Sequence, residues 1–126
     1  MEGRTMKKKD LLQRLEDFAV RVVELADKLP NTHGARAVGF QVAKSAISVA
    51  HNYAESQAAS SKKHFISYVE ISEREARETY ISLRIIDRRQ YLQQENLTEL
   101  LQENNEIIAI LTSIGRKAKE NVREIV

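Results

Sequence analysis

Leu11-Leu12-Gln13-Arg14-Leu15-Glu16-Asp17-Phe18-Ala19-Val20-Arg21-Val22-Val23-Glu24-Leu25-Ala26-Asp27-Lys28-Leu29-Pro30 sets the pattern that the rest of the chain repeats. Leu11, Leu15, Phe18, Val22, Leu25 and Leu29 recur at alternating spacings of four and three, which gathers them on one side of an α-helix, and Leu12, Ala19, Val23 and Ala26 widen that stripe. The opposite side carries Glu16, Asp17, Arg21, Glu24, Asp27 and Lys28. Pro30, Asn31, Thr32 and Gly34 then stop the helix, which is expected to run from about Lys8 to Leu29.

The same period returns three times. Ala35, Val38, Val42, Ala46, Val49 and Tyr53 form a second stripe, flanked by Gly39, Ala43, Ala50 and Ala54, in a helix from about Ala35 to Ala59. Its many small residues allow a neighbouring helix close approach. Ser60 or Ser61 can cap a third helix, from about Lys62 to Gln90, whose stripe is Phe65, Val69, Ser72, Ala76, Thr79, Leu83 and Ile86. Asn96 with Glu99 has the form of a capping box. It opens a fourth helix, from about Leu97 to Ile125, with a stripe of Leu97, Leu100, Leu101, Ile107, Ile108, Leu111, Ile114, Ala118, Val122 and Ile125. Its acidic first half and basic last turns complement the helix dipole. Short connections make neighbours antiparallel, so the expectation is an all-α, up-down-up-down four-helix bundle. At about 1.5 Å per residue it would be a rod roughly 30 to 45 Å long.

Composition agrees. The 126 residues are the length of a single domain, 1–126, of which 1–7 are expected to form a disordered tail. One proline and four glycines leave few helix breakers. The lack of cysteine excludes disulfides and thiolate metal sites. A basic start followed by an amphipathic pattern, with no long apolar run, fits neither a signal peptide nor a membrane span, so a cytoplasmic protein is expected. Twenty basic against eighteen acidic residues leave a net charge of +2, which by itself calls for no polyanionic partner.

Two sets of residues fall outside the core stripes. Phe40 and Ile47 on the second helix, and Ile66, Ile71, Ile81 and Ile85 on the third, are apolar without a partner inside a monomeric bundle. Scattered surface hydrophobes are ordinary, but their concentration on two helices favours an oligomer interface. Gln41, Ser45, Ser48, Asn52 and Glu55 form a polar stripe on the second helix, as Glu75, Glu78 and Ser82 do on the third. The short hydroxyl and amide groups favour a structural hydrogen-bonded seam over a fully solvated face.

The run Lys44-Ser45-Ala46-Ile47-Ser48-Val49-Ala50-His51-Asn52-Tyr53, followed by Ser61, Phe65-Ile66, Glu75-Ala76-Arg77-Glu78-Thr79 and Leu83, resembles the bacterial four helix bundle protein family. That family was first noticed as reading frames in intervening sequences of large-subunit ribosomal RNA genes. Leu29-Pro30-Asn31-Thr32 resembles it too, so the likeness covers nearly the whole chain. The family often has Arg, Gly, Thr and Gly where this chain has Lys44, Ala46, Ile47 and Ala50, and an aromatic pair near Tyr80 is here Tyr80-Ile81. Lysine lacks the fork of arginine, which weakens any ligand role tied to that position. The resemblance implies a cytosolic bundle that assembles into a ring, with homopentamers among relatives. It also implies association with RNA or ribosomes, and a distant kinship to accessory proteins of diversity-generating retroelements, which bind nucleic acid and a reverse transcriptase.

Chemistry is sparse. His51 and Glu55 are four apart and could pinch a metal, but two ligands do not make a site. No Glu-x-x-His pair, phosphate-binding glycine loop or nucleophile elbow is present, so neither an enzyme, a metal, a cofactor nor a small-molecule substrate is expected. Lys63, Arg74, Arg77, Arg84 and Arg88 fall within a sector of about 80° on the third helix, a basic stripe suited to nucleic acid. Glu70 and Glu73 dilute it, and pairing of Glu70 with Arg74 and of Glu73 with Arg77 is the ordinary alternative. The reading that results is a non-enzymatic homo-oligomer bound to RNA or ribosomes through basic helix surfaces. The alternative is a ring-like scaffold for protein partners without nucleic acid.

Overall fold

The computed structural model describes the backbone of residues 8–125 and the side chains of residues 10–121. It contains four helices, α1 (Lys8–Asp27), α2 (His33–Gln57), α3 (Lys62–Arg88) and α4 (Thr98–Ile125), with no strand among the described residues. The expected tail at 1–7, and the side chains of Val122 and Ile125 in the fourth stripe, lie outside the described residues. Each helix packs against the next in the chain, and α4 returns beside α1, whose backbones approach each other least. This is an all-α four-helix bundle.

The helix ends differ from expectation by one or two residues, for local reasons. Ahead of Pro30, which has no N–H to donate, α1 tightens: Lys28 N–H bonds Leu25 O at 3.0 Å and Leu29 N–H bonds Ala26 O at 3.2 Å, so regular α-helix stops at Asp27 rather than Leu29. Thr32 caps α2, its Oγ1 accepting from Ala35 N–H at 3.2 Å, which brings the start forward from Ala35 to His33. Its last turn tightens likewise, ending the helix at Gln57 rather than Ala59. Of the two serines, Ser61 caps α3, accepting from His64 N–H at 3.1 Å.

At the other end of α3, Gln90 takes a left-handed φ of 54°. Gln90 N–H then bonds Asp87 O at 3.0 Å and Tyr91 N–H bonds Ile86 O at 3.4 Å, the paired closure of a Schellman motif. The helix therefore ends at Arg88 rather than Gln90. The capping box before α4 is only half made. Asn96 Oδ1 accepts from Thr98 N–H at 2.9 Å, but Glu99 pairs with Arg21 of α1 at 3.7 Å, and α4 begins at Thr98 rather than Leu97.

The four apolar stripes meet in one core. Leu15, Phe18 and Val22 from α1, Val42, Val49 and Tyr53 from α2, Val69, Leu83 and Ile86 from α3, and Ile107 and Leu111 from α4 are all buried. Gly39 of α2 makes room for Leu29, just past the end of α1, since a Cβ there would meet Leu29 Cδ1 at 2.9 Å. The wider α1–α4 seam is crossed by ion pairs. Arg14 donates to both oxygens of Glu103 at 2.7 Å and to Glu106 at 2.8 Å, and just outside the helices Lys28, after α1, reaches Glu95, before α4, at 2.7 Å. The hydrogen bond to Glu103, with Glu106 in support, pushes the Arg14 pKa up against the cost of its burial.

Candidate RNA and assembly surfaces

The polar stripes do not form one continuous network. Ser45 is buried and shares a hydrogen bond of 2.7 Å with Thr79 across the α2–α3 seam. Ser72 Oγ, in the same seam, donates to Val49 O at 2.7 Å. Ser48, Asn52, Glu75 and Ser82 are half-buried, and Asn52 Nδ2 turns back to Ser48 on its own helix at 2.9 Å. Gln41, Glu55 and Glu78 are exposed. Depth in the seam therefore divides residues that share a helical phase.

Glu75 lies at the edge of that seam, and burial, with Glu78 adding to it, raises its carboxyl pKa against the opposing charges of Arg74 and Lys44. Two of the described buried polar residues escaped the sequence reading, Asn104 and Ser56, the latter donating from Oγ to Tyr53 O at 2.6 Å. Asn104 of α4 is fully buried, with Nδ2 donating to Ala76 O at 2.9 Å and Oδ1 without a partner among the described residues. It lies four after Leu100 and three before Ile107, so the period of the fourth stripe already pointed at it.

On α3 all five stripe cations, Lys63, Arg74, Arg77, Arg84 and Arg88, are exposed. Arg77 pairs with Glu73, Nε to Oε2 at 3.0 Å. Glu70 pairs across the bundle with Lys119 of α4 instead of with Arg74 along its own helix. Among the described residues no salt bridge engages Lys63, Arg74, Arg84 or Arg88. Ile81 and Ile85 emerge within the same face, 53% and 46% exposed, so cations and aliphatic side chains alternate along it. Apolar and basic residues that were placed in separate groups thus share one surface.

Phe40 is 68% exposed on the outer side of α2 and lines a shallow groove with Ala43, Lys44, Ile47, Ser48 and His51. Ile66 and Ile71 are half-buried, which commits part of their surface to the bundle itself. The sequence reading missed Val20 of α1, 55% exposed among charged neighbours. Its place between Asp17 and Glu24 on the charged side of the helix was the available signal. Among the described residues, no three His, Asp or Glu side chains gather as metal ligands, and no helix is long and apolar enough to cross a membrane.

The fold has a counterpart among solved structures. A Bacteroides thetaiotaomicron protein of unknown function, from the S23 ribosomal protein family, superposes with a TM-score of 0.79 at 30% identity, covering 88% of this chain and 99% of its own. No protein with a curated description matches the chain. A family match runs over residues 7–113, from the start of α1 through the middle of α4, and by it the chain belongs to the 23S rRNA-intervening sequence protein family.

Proposed function

We propose that this chain is a non-enzymatic, cytoplasmic, self-associating bundle that binds RNA through the outer face of α3. One observation carries the reading: Lys63, Arg74, Arg84 and Arg88 are exposed along one helix without a salt bridge among the described residues. Side chains so placed are free to neutralise phosphates, and the guanidinium fork suits phosphate oxygens. The link of the family with intervening sequences of 23S rRNA supports RNA as the polyanion. Assembly into a ring, five-membered by analogy with relatives, would repeat the face and add avidity to a modest patch.

A second reading, a scaffold for protein partners, draws on the exposed Phe40 and Ile47. Titration of the purified chain with structured RNA at several salt concentrations separates the two. The RNA reading requires affinity that falls steeply with salt, and Arg84→Ala or Arg88→Ala should each reduce the logarithmic salt slope by about 1. If no RNA binds even at low salt, the scaffold reading stands alone.

A further inference from the structure

Phe40 is the most exposed large apolar side chain among the described residues, and its neighbours along α2 are cations. At about 100° per residue, Arg36, Phe40, Lys44, Ile47 and His51 fall within a sector of about 80° on the outer side of the helix, and all five are exposed. α2 carries no acid before Glu55, two residues from its end. Among the described residues no salt bridge engages Arg36 or Lys44. The Arg36 guanidinium donates to Asn31 Oδ1 at 2.6 Å, and Lys44 is near enough to Glu75 of α3 for its charge to act on that carboxyl. Phe40 and Ala43 wall two shallow hollows of about 530 and 540 Å³. One runs toward Leu29 and Pro30 with Asp27 at its margin, and the other runs along Lys44, Ile47 and His51.

We propose that the outer face of α2 is a second RNA contact, at which an unpaired base stacks on Phe40 while Arg36 and Lys44 take the flanking phosphates. Bases freed from a helix stack on aromatic rings and guanidinium planes, whereas a duplex keeps its bases stacked on one another. The contact therefore selects loops and single strands. His51 places a second ring about 16 Å further along the helix, in line with the first. Lys44 decides between RNA and a protein partner. It stands between Phe40 and Ile47, where a dry protein interface would have to bury its ammonium, while RNA brings a phosphate to it in a wet contact. Glu78 and Glu75 fall in helical phase between the basic strip of α3 and Thr79, which faces α2, so the two cationic faces are separate. A hairpin has two parts to fill them: a paired stem whose phosphates meet the arginines of α3, and loop bases that reach α2. This rests on the RNA part of the proposed function and adds to it the class of RNA and a site on a different helix.

Fluorescence anisotropy of the full chain with two labelled RNAs carrying equal numbers of phosphates, a hairpin with a loop of unpaired adenines and a fully paired duplex, tests it. The wild type should bind the hairpin about tenfold more tightly than the duplex. Phe40→Ala should erase that preference and leave both the duplex affinity and the salt slopes unchanged, since stacking releases no counterions. Phe40→Trp should restore the preference. Phe40→Leu should not, because leucine keeps apolar area but offers no ring. A 2-aminopurine placed in the loop should change its fluorescence with the wild type and not with Phe40→Ala. Hairpin affinity indifferent to Phe40→Ala, or fully kept by Phe40→Leu, would overturn the contact. So would a change of sedimentation coefficient in Phe40→Ala, which would place the ring between copies of the chain. An acidic amphipathic peptide that binds the wild type but not Phe40→Ala, with RNA binding unaffected, would give the groove to a protein. If duplex binding is weakened by Arg84→Ala while Phe40 is without effect, the α3 reading stands and only the α2 contact falls. If neither RNA binds at low salt, both fall together.

Discussion

Ser45 Oγ and Thr79 Oγ1 lie 2.7 Å apart across the buried seam between α2 and α3. Either atom can donate, and each has a further main-chain acceptor on its own helix, Val42 O for Ser45 at 3.3 Å and Glu75 O for Thr79 at 2.8 Å. The two hydroxyls thus tie the helices at one register with little side-chain entropy to lose. Thr79→Val should cost about 1–2 kcal/mol, because it leaves Ser45 with one long bond in a dry seam. Adding Ser45→Ala should recover part of that loss, so urea unfolding of both singles and the double would give a coupling energy of about 1 kcal/mol. Additive effects would show that the hydroxyls act independently.

Arg14 is the strongest fastening across the widest seam of the bundle. Its fork engages both oxygens of Glu103 with both groups about three-quarters covered, and it reaches Glu106 as well. Arg14→Ala should destabilise by about 1–2 kcal/mol, more than a solitary surface pair would. Arg14→Lys should restore less than half of this, since an ammonium cannot grip two oxygens and a second carboxylate in the same geometry. Thermal melts of the three proteins at low and moderate salt would rank them.

Asn104 combines full burial with an amide oxygen lacking a partner. Asn104→Asp replaces the donor to Ala76 O with an acceptor and adds a charge that the site cannot solvate. The variant should lose about 3 kcal/mol or more at neutral pH. Protonation restores a donor, so much of the loss should return near pH 4. A variant equally unstable at both pH values would mean that packing, rather than charge, governs the site.

Glu75 contributes with the opposite sign to a paired carboxylate. Burial, reinforced by Glu78, raises its pKa in the folded state above the ordinary carboxylate value. The unfolded chain therefore releases this proton more readily, and stability falls as pH rises from the ordinary carboxylate range through the raised value. Glu75→Gln should stabilise at pH 7 by less than about 1 kcal/mol, since the group is only half-buried. The advantage should vanish below the ordinary carboxylate pKa, where both proteins are neutral at this position. A benefit that persisted there would be unrelated to charge.

Gln90 holds φ at 54°, a conformation that costs a residue with a Cβ about 1 kcal/mol and glycine almost nothing. Gln90→Gly should raise stability by about 0.5–1 kcal/mol, provided its extra freedom in the unfolded chain does not cancel the gain. A small rise in melting temperature checks this.

Four amphipathic helices, their order and most of their buried residues were legible in the chain, because the hydrophobic period is a local property that each helix carries in its own sequence. Leu15, Phe18, Val22, Val49, Leu83 and Leu111 were each on an expected stripe and each is buried. Caps at Asn96 and Ser61 were visible for the same reason: their bonds close within three residues. Phase on one helix, however, says nothing about what stands opposite. Glu70 is spaced for Arg74 but pairs with Lys119, Glu99 answers Arg21 instead of Asn96, and Ser45 is buried while Gln41 and Glu55 of the same stripe are not. Those outcomes depend on how the helices are spaced and slid against one another. Side-chain partners more than fifteen residues apart are chosen by that packing, which no single helical repeat encodes.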